Sequence, residues 1–232
     1  MDILSLSDRP IGVSELSRVS GISKTAVFRI TEELCKENLL SKDQDNKYHI
    51  GSKALFWAGS YHRQSGLKNL ARPLMETIWE EFGETVHLFE YENLQAHYLD
   101  KIESKKSLRM WSKIGFTPTL YSTAGGKAIL SCLSEAEQDE YFQRVDLIKI
   151  TNNTVTAPEK LKAYFTLCRE RGYSEEIGEN EDDIRCVAAP VLDYDKRPIG
   201  AISVSAPVYR FGDEVAEQVG LRLAEMTRKL YQ

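Results

Sequence analysis

Residues 23–30, SKTAVFRI, gather two cations, two hydroxyls and an aromatic ring without a single acid. Lys24 and Arg29 can pair with phosphates or guanine edges, and Phe28 can touch a thymine methyl. Ser23 and Thr25 can bind phosphates near the positive end of a helix. On a helix starting after Ser23, which suits an N-cap, Lys24, Thr25, Phe28 and Arg29 share one face. Ala26, Val27 and Ile30 are expected on the other, with Leu34 continuing their stripe to about Glu37. A solvated basic helix face is the competing reading of so short a stretch, so the surrounding elements must decide.

Those elements favour a DNA-reading unit. Val13, Leu16 and Val19 are spaced by three, as one face of a short helix requires, and Ser20 and Gly21 break it. Two helices meeting across a turn of about three residues form a helix-turn-helix, with Leu16, Ser17, Gly21, Ile22, Val27 and Ile30 at its packing positions. Leu39-Leu40, the polar tip KDQDNK and YHIG then read as a two-stranded wing turning at Asp45-Asn46. Lys47, on that wing, is the sixth candidate for DNA contact.

A second group of residues suits a small anion. LYSTAGGKAIL, residues 120–130, ends a loop and begins a helix, so free N–H groups near Ala124 and Gly125 would meet a helix's positive end. An ordinary glycine-containing helix entry is the plainer alternative. In AISVS, Ser203 and Ser205 share one strand face and Ile202 and Val204 the other; with the aliphatics in the core, the serines face a cavity or solvent. Cys186 reads as a small buried hydrophobe and the run GENEDD before it as a solvated loop.

Enzyme readings fare poorly. His49, His62, His87 and His97 lack HExxH or metal-ligand spacing, and no G-x-S-x-G elbow occurs. Gly126-Lys127 is followed by Ala128, and Tyr121 stands where a P-loop needs its first glycine. Paired acids, common in any acidic chain, leave a carboxylate-pair hydrolase open.

The 232 residues suggest two modest domains. No long apolar run occurs, and Asp2 follows Met1 directly, so a cytoplasmic chain with no membrane partner is expected. The four cysteines form no C-x-x-C pair and imply neither disulfides nor zinc. Net charge is −5, yet residues 1–65 hold 9 Lys/Arg against 8 Asp/Glu, so the acidity lies in the remainder. One such basic face binds weakly, and a dimer is expected; Phe56, Trp57 and Tyr61 could supply its contact or serve as intramolecular core.

From Ser52 to about Phe82 the pattern is helical, with a weak point at Ser65-Gly66. ETVHLFEY, AHYLDKI and SLRMWS follow as strands, then helices near 124–133, 135–143 and 158–171. CVAAPVLDY and PIGAISVS flank a turn at Asp195-Lys196 before a closing helix at 212–230. Paired strands with grouped helices indicate an α+β sheet domain.

SELSRVSGISKTAVFRITEEL, the wing ending YHIG, LRMWSKIG, LYSTAGGKAIL, GYSEE, DIRCVAAPV and GAISVSAP together resemble the IclR family of bacterial transcriptional regulators. LRMWSKIG, LYSTAGGKAIL and IRCVAAPV are most similar to its KdgR branch, which responds to 2-keto-3-deoxygluconate. The resemblance implies a winged helix-turn-helix DNA-binding domain at 1–51, a linker helix at 52–66 and a GAF- or profilin-like antiparallel-sheet effector domain at 67–232. It implies effector contacts from Met110, the backbone of Ala124 and Gly125, Glu176, Cys186, Ser203 and Ser205.

It also implies a dimer or tetramer on a pseudo-palindromic double-stranded operator, with no cofactor and no catalysis. The chain starts about ten residues before the helix-turn-helix, implying a shortened leading helix, and Glu176 replaces the Asp of some members. An ionised Glu176 would repel a ligand's carboxylate, so the acid end belongs at Ala124/Gly125 and its hydroxyls near Glu176 and the serines. A hydroxylated sugar acid fits that division. A metabolic enzyme or a sensor scaffold with an incidental winged helix is the alternative.

Overall fold

The computed structural model describes residues 1–106 and 112–230. The chain divides into two compact units, Met1–Ser65 and Gly66–Gln232.

In the first unit, α1 (Asp2–Ser5) precedes α2 (Val13–Ser20) and α3 (Lys24–Lys36), and β1 (Leu40–Lys42) pairs antiparallel with β2 (Tyr48–Ile50) before α4 (Lys53–Gln64). Gly21 ends α2 with a φ of 70°, the left-handed conformation that lets the chain reverse into α3. Ser23 caps α3, its hydroxyl accepting from the Ala26 N–H. The wing turns at Asn46, also left-handed, while the Asp43 carboxylate accepts the Asp45 and Lys47 N–H groups at 2.9 Å each. Ile11 exchanges both backbone hydrogen bonds with Tyr48, adding a bridge to the wing.

The small core is Leu4, Ile11, Leu16, Val27, Leu40 and Tyr48. It corrects the expected inward stripe. Val19, Ile22 and Ile30 are exposed, and Thr31 is buried in Ile30's stead. At 100° per residue, Val27, Thr31 and Leu34 fall within a narrow arc from which Ile30 is turned away. Thr31 is tolerated because its hydroxyl donates to the Val27 and Phe28 carbonyls.

In the second unit, α5 (Gly66–Phe82) leads into β3 (Thr85–Glu92) and β4 (Gln95–Ile102), which turn at left-handed Asn93 and Leu94. Helices α6 (Ala124–Cys132), α7 (Glu135–Arg144) and α8 (Pro158–Arg171) follow. Then come β5 (Ser174–Ile177), β6 (Ile184–Leu192), β7 (Pro198–Pro207) and α9 (Asp213–Thr227). The strands form one antiparallel sheet in the order β4-β3-β7-β6-β5. β5, only four residues long, was not anticipated. The strand expected at 107–112 lies almost wholly outside the described residues.

Both sheet faces are covered by helices, so both carry buried apolar residues. Val86, Leu88, Ile202 and Val204 pack beneath α5 and α9. Phe89, Ala188 and Ala201 pack beneath α6, α7 and α8. Ser203 and Ser205 therefore point toward the α6 side.

Candidate functional site

On α3 the side chains of Lys24, Thr25, Phe28 and Arg29 are exposed. Lys24 and Arg29 have no hydrogen-bonding or ionic partner among the described residues, whereas nearby Lys36 and Lys42 are neutralised by Glu33 and Glu32. Two unneutralised cations thus remain available to an external anion. Phe28 is 48% exposed and carries the Lys42 ammonium 5.6 Å from its ring centroid. Lys47 is exposed on the wing, 3.6 Å from Asp45.

In the second unit, strand register assembles the polar residues into rows. Glu176 is opposite Cys186, Cys186 opposite Ser205, and Ser205 opposite Thr85, one line across β5, β6, β7 and β3. The neighbouring row runs Ser174, Ala188, Ser203, His87 and Lys101. A residue from position 85 and one from position 205 meet only through this pairing.

The start of α6 lies over the same face. The Ser174 hydroxyl donates to the Ala124 carbonyl at 2.5 Å. Thr123 caps the helix by accepting from the Gly126 N–H at 3.2 Å, while the Ala124 and Gly125 N–H groups have no acceptor among the described residues. Gly125 also answers the plainer reading of this segment: a Cβ there would sit 2.4 Å from the Phe89 ring, so close packing alone demands glycine. Packing and anion binding are compatible, because the ring abuts the Cα and leaves the N–H groups unpaired.

The electrostatics set the protonation states. Glu176 is buried, and burial pushes its carboxyl up to about 7, against the stabilising thiol of Cys186, the Glu179 N–H at 2.8 Å and the Lys127 ammonium. Burial and the Glu176 charge push the Cys186 thiol well up, so it stays protonated. Cys186 is nonetheless only half-buried, unlike Glu176, Ser203 and Ser205. Met110 lies outside the described residues.

His87, Tyr98 and Ser112 join this cluster without having been anticipated as site residues. His87 is held neutral by burial and by Lys101, its imidazolium form disfavoured down to about 3. Its Nε2 lies 2.6 Å from the Ser112 hydroxyl and its Nδ1 3.5 Å from that of Ser205. The Tyr98 ring is 4.9 Å away, its phenol pushed up by burial and by Cys186. Alternation in ETVHLFEY does separate Thr85 and His87 from Val86 and Leu88; which polar residues they join depends on the pairing with β7.

The acidic run is not the solvated loop expected. Glu179 turns inward to pair with Lys127, itself fully buried, and its second carboxylate oxygen accepts from the Val155 N–H. Lys127 is thus a neutralised cation beside Glu176 and is no phosphate ligand. No cluster of His, Cys, Asp and Glu able to hold a metal occurs among the described residues.

A winged helix-turn-helix with an unneutralised basic face, carried on one chain with a sheet domain presenting a buried polar row, defines a ligand-responsive DNA-binding regulator as the class. Comparison with known proteins agrees. The IclR helix-turn-helix domain matches residues 1–44, and the bacterial transcriptional regulator IclR C-terminal domain matches residues 59–231. This chain belongs to the IclR family.

Among its relatives, the HTH-type transcriptional regulator KipR of Bacillus subtilis is 28% identical over 98% of this chain and 92% of its own. The regulator KdgR of Escherichia coli is 31% identical over 96% and 85%. The crystal structure of Thermotoga maritima IclR superposes with a TM-score of 0.80 at 31% identity, covering 100% of this chain and 95% of that one. These families and relatives are transcriptional regulators, and the chain is accordingly a regulator and not an enzyme. No described helix is long and apolar enough to cross a membrane.

Proposed function

We propose that this regulator represses genes of sugar-acid catabolism and binds a hydroxylated carboxylate of the 2-keto-3-deoxygluconate type. Residues 1–51 hold the DNA, 52–66 link, and 67–232 hold the effector. The observation that carries the effector reading is the row Glu176, Cys186 and Ser205, with Ser203 beside it and the unpaired Ala124 and Gly125 N–H groups on the same sheet face. The ligand carboxylate accepts from the helix start, as anions do there. Its hydroxyls bond Ser203, Ser205 and Glu176. With its carboxyl near 7, Glu176 can donate or accept to a hydroxyl, whereas in its ionised form it rejects a second carboxylate. Similarity to KdgR at 31% identity favours a sugar acid over an unrelated anion.

The operator is read by Lys24, Thr25, Phe28 and Arg29 with Ser23 at the helix start and Lys47 on the wing. Two copies are required, because one nearly uncharged unit makes few phosphate contacts. The exposed Leu55, Phe56, Trp57 and Tyr61 of α4 give an apolar surface for a dimer or tetramer. Ligand then shifts the population between operator-binding and non-binding arrangements; a coupling of about 1–3 kcal/mol changes operator affinity roughly 5- to 150-fold. Calorimetry with 2-keto-3-deoxygluconate tests the pocket. Saturable binding that is lost in Ser203→Ala/Ser205→Ala supports it, and equal binding by both proteins displaces the site.

A further inference from the structure

The other end of α6 opens on a cavity. It has a volume of about 370 Å³ and lies where the C-terminal ends of α6, α8 and α9 meet the β6–β7 hairpin. That volume suits a small metabolite. Its walls are partly apolar, from Cys132, Cys168, Pro190, Leu192 and Ala224, and none of the proposed effector contacts lines it.

Three cations, Arg169, Lys196 and Arg228, border it against one carboxylate, Asp193. Asp193 is already engaged, one of its oxygens accepting the Asp195 and Arg197 N–H groups at 2.9 Å each. Helix C-termini attract cations in their own right, and Arg169 serves that purpose by donating to the Ser131 carbonyl at 3.0 Å. Lys196 and the Arg228 guanidinium have neither a carboxylate nor a carbonyl partner among the described residues, in a chain where most surface cations are paired. Thr227 also lines the cavity, and its hydroxyl makes no hydrogen bond to the described residues, so it is available to a bound molecule.

We propose that this cavity is a second ligand site, separate from the effector row, that takes a small phosphate monoester. The lining carries a formal +2, which a phosphomonoester of charge about −1.5 to −2 matches at neutral pH and a single carboxylate does not. Lys196 and Arg228 clasp the phosphate as charge-assisted donors, Thr227 donates a hydroxyl hydrogen bond, and the ester's carbon chain lies against Leu192, Pro190 and Ala224.

Calorimetric titration of the full chain with glycerol 3-phosphate, inorganic phosphate and glycerol tests the assignment. Saturable binding of glycerol 3-phosphate is expected, weaker binding of inorganic phosphate and none of glycerol. The double variant Lys196→Ala/Arg228→Ala alters exposed side chains and should fold; in it the dissociation constant should rise at least about tenfold. Thr227→Val should weaken binding with the circular dichroism spectrum intact. Ser203→Ala/Ser205→Ala should bind the ester as wild type does, which keeps this result separate from the fate of the sugar-acid site. No saturable binding by either phosphate probe, or equal binding by the Lys196/Arg228 variant, overturns the proposal.

Discussion

Glu176 and His87 sit in adjoining rows of the same sheet face, and burial shifts both toward the neutral form, with opposite consequences for stability. Folded Glu176 keeps its proton up to about 7 while the unfolded chain loses it near 4.5, so its contribution falls as pH rises between those values. Folded His87 stays neutral down to about 3 while the unfolded chain protonates below 6.5, so its contribution falls as pH drops through that range. Between 4.5 and 6.5 the two slopes oppose each other. Urea unfolding across pH should therefore show Glu176→Gln making the slope of stability against pH more positive than wild type, by up to about 1.4 kcal/mol per pH unit, and His87→Asn making it more negative. Identical slopes in all three proteins would contradict the assigned protonation states. A second residue-scale test concerns Lys127: Lys127→Met leaves Glu179 buried without its cation and should cost about 3–5 kcal/mol by the same measurement, with Lys127→Met/Glu179→Leu recovering much of it.

The start of α6 combines a cap, a tight helix-to-strand contact and unpaired N–H groups within four residues. Gly125→Ala drives a methyl into Phe89 and should destabilise by about 1–3 kcal/mol; adding Phe89→Leu should relieve part of it in thermal unfolding. Elements of this kind show what a single chain of letters discloses. The two helices, the Ser23 cap, the Gly21 turn and the wing were legible because each is a local decision among residues a few positions apart. The direction of Ile30 was not, since counting in threes overlooks the angular drift that brings Thr31 inward. Ser203 and Ser205 were legible as a polar face; their company was not. Glu176, Cys186 and Thr85 meet through pairings up to 120 positions apart, and the short β5 that carries Glu176 has too few residues to display a period. The resemblance to the family supplied Glu176 and Cys186 where periodicity could not. Glu179 escaped notice because its burial depends on Lys127, more than fifty positions earlier.

At the scale of the whole molecule, the chain folds as two compact units, Met1–Ser65 and Gly66–Gln232, and the proposed function gives DNA reading to the first and ligand sensing to the second. Each function should accordingly be removable alone. Arg29→Ala should leave sugar-acid binding unchanged, and Ser203→Ala/Ser205→Ala should leave operator binding intact while abolishing its response to ligand. Removing the exposed α4 aromatics with Phe56→Ser/Trp57→Ser should lower the apparent operator affinity in a protein-concentration-dependent manner, as loss of a dimer does. Operator recognition depends above all on the outward face of α3. Fluorescence anisotropy with duplex DNA from the region upstream of the regulator's own gene, at several salt concentrations, tests it most directly. Wild type should bind that duplex tightly and with steep salt dependence, and Lys24→Ala/Arg29→Ala should lose specific binding and show a shallower salt slope by about 1 for each phosphate contact removed. Operator binding of equal affinity and equal salt slope in the variant would contradict the account.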